Sequence, residues 1–95
     1  MTPFQEKCIQ KCKDYLESNT SLKNIVFDLI EGKTENYYFS KLEIGKHLLE
    51  IFIYSDEAGC MVDNNSWIIC ERPDYKKDDE LIEAFIKKLS KLELS

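Results

Sequence analysis

One histidine, one tryptophan, two prolines and three glycines are all that this 95-residue sequence holds of several residue types that mark special sites. Gly32, Gly45 and Gly59 stand too far apart for a phosphate-cradling loop, which needs several glycines within one turn. His47 has no catalytic company. A general base needs a nucleophile and an orienting carboxylate close by, and a cysteine with Glu43 or Glu50 forms no such motif. At the start of a strand beside a glycine turn, a solvated or backbone-bonded histidine is the expectation. No apolar run approaches the ~18 residues of a membrane-spanning helix. Met1 to Lys7 offers neither an apolar signal core nor a small-residue cleavage site. The expected location is the cytoplasm, with no membrane partner.

Positive charge is also short. Thirteen basic residues face eighteen acidic ones, for a net charge of -5, and Arg72 is the only arginine. Nucleic acid is therefore disfavoured as a partner, because duplex affinity comes largely from Lys and Arg neutralising phosphates. Anionic lipid is disfavoured for the same reason. Asp56 to Glu83 holds nine acids against Arg72, Lys76 and Lys77, so this segment carries more excess acid than the whole chain. Acids at the start of a helix account for Asp78, Asp79, Glu80 and Glu83. Asp56, Glu57, Asp63, Glu71 and Asp74 are left over, near the aromatic Tyr54, Trp67 and Tyr75. Calcium would need ligating oxygens at alternate positions around a glycine, and that spacing is absent.

The four cysteines do not form a secreted-type disulfide framework. Cys8 and Cys12 lie one helical turn apart. Cys60 and Cys70 flank a hairpin, and a two-residue loop at Asn64-Asn65 sets them on opposite faces, which suits a disulfide poorly. Neither pair has zinc-ribbon spacing on a turn. All four are expected reduced and buried, and no metal or cofactor is expected.

What is present is periodicity. Thr2, Pro3 and Gln5 make a helix start with a capping box, and Phe4, Cys8, Cys12, Tyr15 and Leu16 recur at helical spacing up to Ser18–Ser21. From Asn24 to Ile30 the period shortens to that of a strand. Glu31–Thr34 is a turn, with Gly32 free to take positive φ. Strands follow over Glu35–Lys41 and His47–Tyr54, separated at Gly45-Lys46; Ser55–Gly59 is a loop. Cys60–Val62 and Trp67–Glu71 form a hairpin around Asp63–Ser66. Pro73 ends the sheet, and Asp78 or Asp79 caps a last helix with an apolar stripe of Leu81, Ile82, Phe85, Ile86 and Leu89, continuing to Leu92.

The predicted fold is α+β in the order αβββββα: a five-stranded antiparallel meander with both amphipathic helices packed on it, forming one domain over residues 1–95. The third strand is apolar on both sides, with Leu49, Ile51 and Ile53 opposing Leu48, Phe52 and Tyr54. Either a helix covers each face of the sheet, or one face is left for a partner. Trp67, following a turn, is expected in the core, with an interface position as the alternative.

Carboxylates beside aromatics suit a protein interface. The expected site is a partner-binding one, made of Asp56, Glu57, Asp63, Trp67, Glu71, Asp74 and Tyr75, for a protein with a basic surface. In size, acidity and lack of motifs the chain resembles immunity proteins, which cap the basic active-site surfaces of bacterial toxins. That resemblance is one of class and transfers no residue. It makes a non-enzymatic inhibitor or immunity-type binder the leading expectation. A secretion-type chaperone acting as a homodimer is the alternative, and a small ligand-binding domain the third.

Overall fold

The computed structural model describes residues 1–92. Helix α1 spans Pro3–Asn19, and its start is the reciprocal cap expected from the sequence. The Gln5 amide donates to the Thr2 hydroxyl at 3.1 Å, and the Thr2 amide donates to the Gln5 side-chain oxygen at 2.9 Å. Five strands follow, β1 (Asp28–Ile30), β2 (Tyr37–Ile44), β3 (His47–Ile53), β4 (Glu57–Val62) and β5 (Ser66–Glu71), then α2 (Asp78–Ser90). The strands lie side by side in chain order and every neighbouring pair is antiparallel. The architecture is thus the α+β meander with two terminal helices.

Register decides which side chains share a face, because antiparallel partners point the same way. One face carries Leu42, Ile44, Leu49, Ile51, Ile53, Ala58, Cys60 and Cys70. All of these are buried in one cluster with Phe4, Cys8, Ile9, Cys12 and Leu16 of α1 and Leu81, Ile82, Phe85 and Leu89 of α2. Both helices therefore cover the same face, here termed the inner face. The other, outer face has no helix on it, so the doubly apolar β3 marks an uncovered surface rather than a two-sided core. None of the helices in the described residues is long and apolar enough to cross a membrane.

Several local expectations are corrected. The first strand keeps only Asp28–Ile30, because Asn24 turns left-handed (φ 56°) and sends Ile25 into the core. Gly32 does not take positive φ; its need is steric, since a Cβ there would lie 2.3 Å from the Glu35 carbonyl oxygen. Gly45 is the glycine with positive φ (60°), at the first central position of a two-residue turn closed by the Ile44–His47 pair, as a type II′ hairpin requires. The second strand runs on to Ile44, the third stops at Ile53, and Glu57–Gly59 belong to β4 rather than to a loop. A tight reversal, with the Tyr54 amide donating to the Glu57 carbonyl at 2.9 Å, leaves no room for the longer loop. Lys77, with no side-chain cap bond, precedes α2, and Asp78 instead pairs with Arg72. The helix stops at Ser90.

The last hairpin has three loop residues, Asp63 to Asn65, since Val62 pairs with Ser66. Asp63 (φ 53°) and Asn64 (φ 61°) both supply left-handed backbone. The extra residue shifts the register by one, so Cys60 and Cys70 share the inner face instead of facing opposite ways. All four cysteines are buried and free. A hydrogen bond with Cys8, together with burial, raises the Cys12 pKa well above the ordinary thiol value.

Candidate functional site

The outer face is built by alternation. At one end of β2 and β3 and along most of β5 the outward positions are large and apolar or aromatic: Tyr37 and Phe39, then Phe52 with Tyr54 just past the strand end, then Trp67 and Ile69. The rings form a connected strip. Tyr54 lies 4.9 Å from Tyr37, Tyr37 6.0 Å from Phe52, Phe39 5.1 Å from Phe52, and Phe52 5.6 Å from Trp67, centroid to centroid. All four separations lie within the roughly 4.5–7 Å range of interacting aromatic pairs, and the rings are tilted to one another. Trp67 remains 56% exposed and Ile69 49%. The core position expected for Trp67 is therefore wrong: the register that buries Cys70 and half-buries Ile68 turns Trp67 and Ile69 outward.

Carboxylates surround the strip. Asp28, Glu43, Glu50, Glu57 and Glu71 occupy outer-face strand positions, and the only base among those positions is Lys41. Glu57 and Glu71 are direct cross-strand partners, an arrangement of like charges that destabilises a sheet. Burial, and then the charges of Glu71, Asp56 and Glu35, push the Glu57 pKa above its ordinary value. Tyr54 is raised as well, by burial and then by Tyr37, Glu57 and Glu35. Glu50 sits opposite Lys41, yet the two form no ion pair, and the Glu50 Oε1 oxygen is buried without a hydrogen-bond donor among the described residues. An orphaned oxygen of this kind costs roughly 1–3 kcal/mol.

The seven residues expected to form the site are not all brought together. Glu57, Trp67 and Glu71 share the outer face, Glu57 and Glu71 as partners at one end of β4 and β5 with Asp56 in the turn beside them, and Trp67 opposite Met61 toward the other end. Asp74 is exposed on the connection to α2, while Tyr75 packs against the core beneath the sheet. Asp63 sits at the far end of β4 and is already engaged. Its Oδ1 accepts from the Leu48 amide at 2.8 Å and its Oδ2 meets His47 Nδ1 at 2.7 Å. These bonds, that to His47 foremost, lower the Asp63 pKa. The histidine thus has a carboxylate partner that is neither Glu43 nor Glu50, and the pair ties the last hairpin to the head of β3. The shallow depression around it is lined by Glu43, Gly45, Lys46, His47, Leu48 and Asp63, with no serine, threonine or cysteine among them.

Tyr37, Phe39, Glu50, Phe52, Gly59 and Ile69 complete the outer surface and were not named among the expected site residues. Their signals were the two-sided apolarity of β3 and the aromatic richness of β2. Among the described residues no group of three or more His, Cys, Asp or Glu side chains is arranged to hold a metal ion. A larger depression lies between α1 and α2; Lys7, Lys11 and Lys87 mingle there with Asp79 and Glu83 over Ile82 and Ile86. The Lys7–Asp79 ion pair at 3.0 Å crosses it, so it has no charge of one sign to offer. Comparison with family models, with curated proteins and with solved structures finds no match to this chain.

Proposed function

We propose that the chain is a non-enzymatic protein-binding module, an inhibitor or immunity-type protein that caps a basic surface of a partner protein such as a bacterial toxin. The observation that carries this reading is the uncovered outer face, an aromatic strip within a rim of carboxylates. Exposed apolar patches of this kind mark interaction surfaces. Aromatic side chains supply contact area, and same-sign charge around them steers an oppositely charged partner and rejects others. The structure gives two further supports. Among the described residues the Glu50 oxygen has no donor, and Glu57 and Glu71 lie side by side without a cation.

The apolar face also favours a second reading, a homodimeric secretion-type chaperone. Charge argues against closing a dimer through this face. A twofold contact places the same patch on both copies, which sets one carboxylate rim against the other.

Capture from lysate of the source cells, comparing the native chain with an Asp56→Asn, Glu57→Gln, Glu71→Gln variant, tests the proposal. The expected result is one basic protein, held by the native chain and associating at least tenfold more slowly with the variant at low salt, with the difference shrinking as salt rises. Equal association rates, an acidic partner, or a small metabolite in place of a protein would overturn it. Light scattering that shows a dimer dissociating on Phe39→Lys substitution would favour the chaperone reading instead.

A further inference from the structure

A mid-strand glycine needs a reason, because it weakens the strand and packs nothing. Gly59 has no backbone reason. Its φ is not in the left-handed region, and a Cβ built on it would meet only the Ile68 carbonyl oxygen at 3.6 Å and Ile69 Cγ1 at 4.0 Å, both ordinary contacts. The position tolerates a side chain. What the missing side chain creates lies on the outer face. In one row across the sheet Gly59 stands between Phe52 and Ile69. Strands are about 4.8 Å apart, so β3 and β5 are separated by the full width of β4. Phe52 and Trp67, which stands opposite Met61, nevertheless approach diagonally over β4 to 5.6 Å. The result is a notch of about 210 Å³ lined by Phe52, Tyr54, Glu57, Gly59, Trp67 and Ile69.

We propose that this notch is an anchor pocket for one arginine side chain of the partner, with the guanidinium stacked among Phe52, Tyr54 and Trp67 and bound by the adjacent carboxylates of Glu57 and Glu71. The proposal rests on reading the outer face as the partner surface and names the chemistry that face selects. Its parts match a guanidinium more closely than an ammonium. A planar cation stacks on aromatic rings, and its fork of N–H donors spans two neighbouring carboxylate groups. Cross-strand partners such as Glu57 and Glu71 have Cβ atoms about 4.5–5.5 Å apart. Among the described residues no cation pairs with Glu35, Asp56, Glu57 or Glu71. Burial first, and then the charges of Glu71, Asp56 and Glu35, raise the Glu57 pKa. A second copy of this chain is a poor source of the anchor, since Arg72 is its only arginine and is held by Asp78 and over the Phe4 ring at 5.2 Å.

The probe is acetyl-arginine amide, with acetyl-citrulline amide as its neutral counterpart of the same shape. Trp67, the only tryptophan, reports through its fluorescence, and backbone amide shifts map the site. Acetyl-arginine amide should give a saturable change at millimolar concentration that weakens with salt. Citrulline should bind at least tenfold more weakly, and Gly59→Val, which fills the notch, should abolish the change while circular dichroism and the thermal midpoint show an intact fold. Equal responses to arginine and citrulline, an unaltered response in Gly59→Val, or no saturable response would overturn the proposal. Failure here and failure of the wider reading look different. If arginine does not bind but Phe39→Ala still weakens capture of a basic protein, the face stands without the notch. If arginine binds while no basic protein is captured, the notch stands without the face.

Discussion

Gly59 and Gly32 carry opposite predictions for the same substitution. Gly59→Ala adds a methyl group that meets ordinary contacts at 3.6 and 4.0 Å, in extended backbone that any residue adopts. Alanine also removes conformational freedom from the unfolded chain, so the change should stabilise the protein by about 0.5–1 kcal/mol. For a domain of this size that corresponds to a rise in the thermal midpoint of roughly 2–8 °C. Gly32→Ala places its Cβ 2.3 Å from the Glu35 carbonyl oxygen, a backbone atom that yields only if the turn opens. Overpacking of that kind costs about 1–3 kcal/mol, so the midpoint should fall by at least roughly 4 °C. Thermal melts followed by circular dichroism, with urea titrations to confirm unchanged m-values, measure both. If Gly59→Ala destabilises as much as Gly32→Ala, then β4 needs its glycine for folding. The notch would then be a by-product, and the argument for it fails.

Phe85→Ala removes a fully buried side chain from the core-facing side of α2 and should cost about 3–5 kcal/mol, read from urea unfolding. The carboxyl of Glu57 has a folded pKa raised above 4.5, so the folded state holds that proton more tightly than the unfolded chain. Its contribution is therefore unfavourable at neutral pH and is relieved as pH falls through the raised value. Glu57→Gln should stabilise the protein at neutral pH by no more than about 0.2–1 kcal/mol, because solvent screens the pair with Glu71. The gain should shrink in urea titrations as pH falls through the raised value and vanish below the ordinary carboxyl value. The four cysteines are fully buried, and burial pushes the Cys60 thiol up to about 12, so a thiol reagent should label none of them at neutral pH until the chain unfolds.

The helices were the most legible part of the sequence, because a cap and a stripe are local signals. Thr2, Pro3 and Gln5 fixed the start of α1, and Leu81, Ile82, Phe85 and Leu89 fixed the buried side of α2. Strand limits were less legible because they depend on pairing. Nothing local in Ile25 or Val26 announces that Asn24 will turn left-handed and shorten β1, and only the third loop residue after Val62 sets the register of β5. That register moved Trp67 outward and brought Cys60 and Cys70 to one face. The two-sided apolarity of β3 showed that something unusual happened at the sheet. It did not show on which side the helices lay, since that depends on how α1 and α2 pack together.

The choices that work against stability are not scattered over the fold. A glycine in mid-strand, glutamates paired across β4 and β5, a buried oxygen of Glu50 without a donor and a half-exposed tryptophan all lie on the outer face. On the inner face the strand positions of β3 and β4 from Leu49 to Val62 are apolar, the helices supply Phe4, Leu16, Phe85 and Leu89, and the buried hydroxyl of Ser40 donates to the Val26 carbonyl at 2.8 Å. A sequence that satisfies every local requirement on one side of a sheet and neglects several on the other has been shaped there by something besides folding. Three of these four, all but the Glu50 oxygen, have the same remedy. A flat cation stacked over the rings would fill the space over Gly59, neutralise Glu57 and Glu71, and cover Trp67. Replacing these residues by ones the fold prefers should therefore raise stability and lower affinity together, and separate effects on the two would argue that the outer face is merely tolerated.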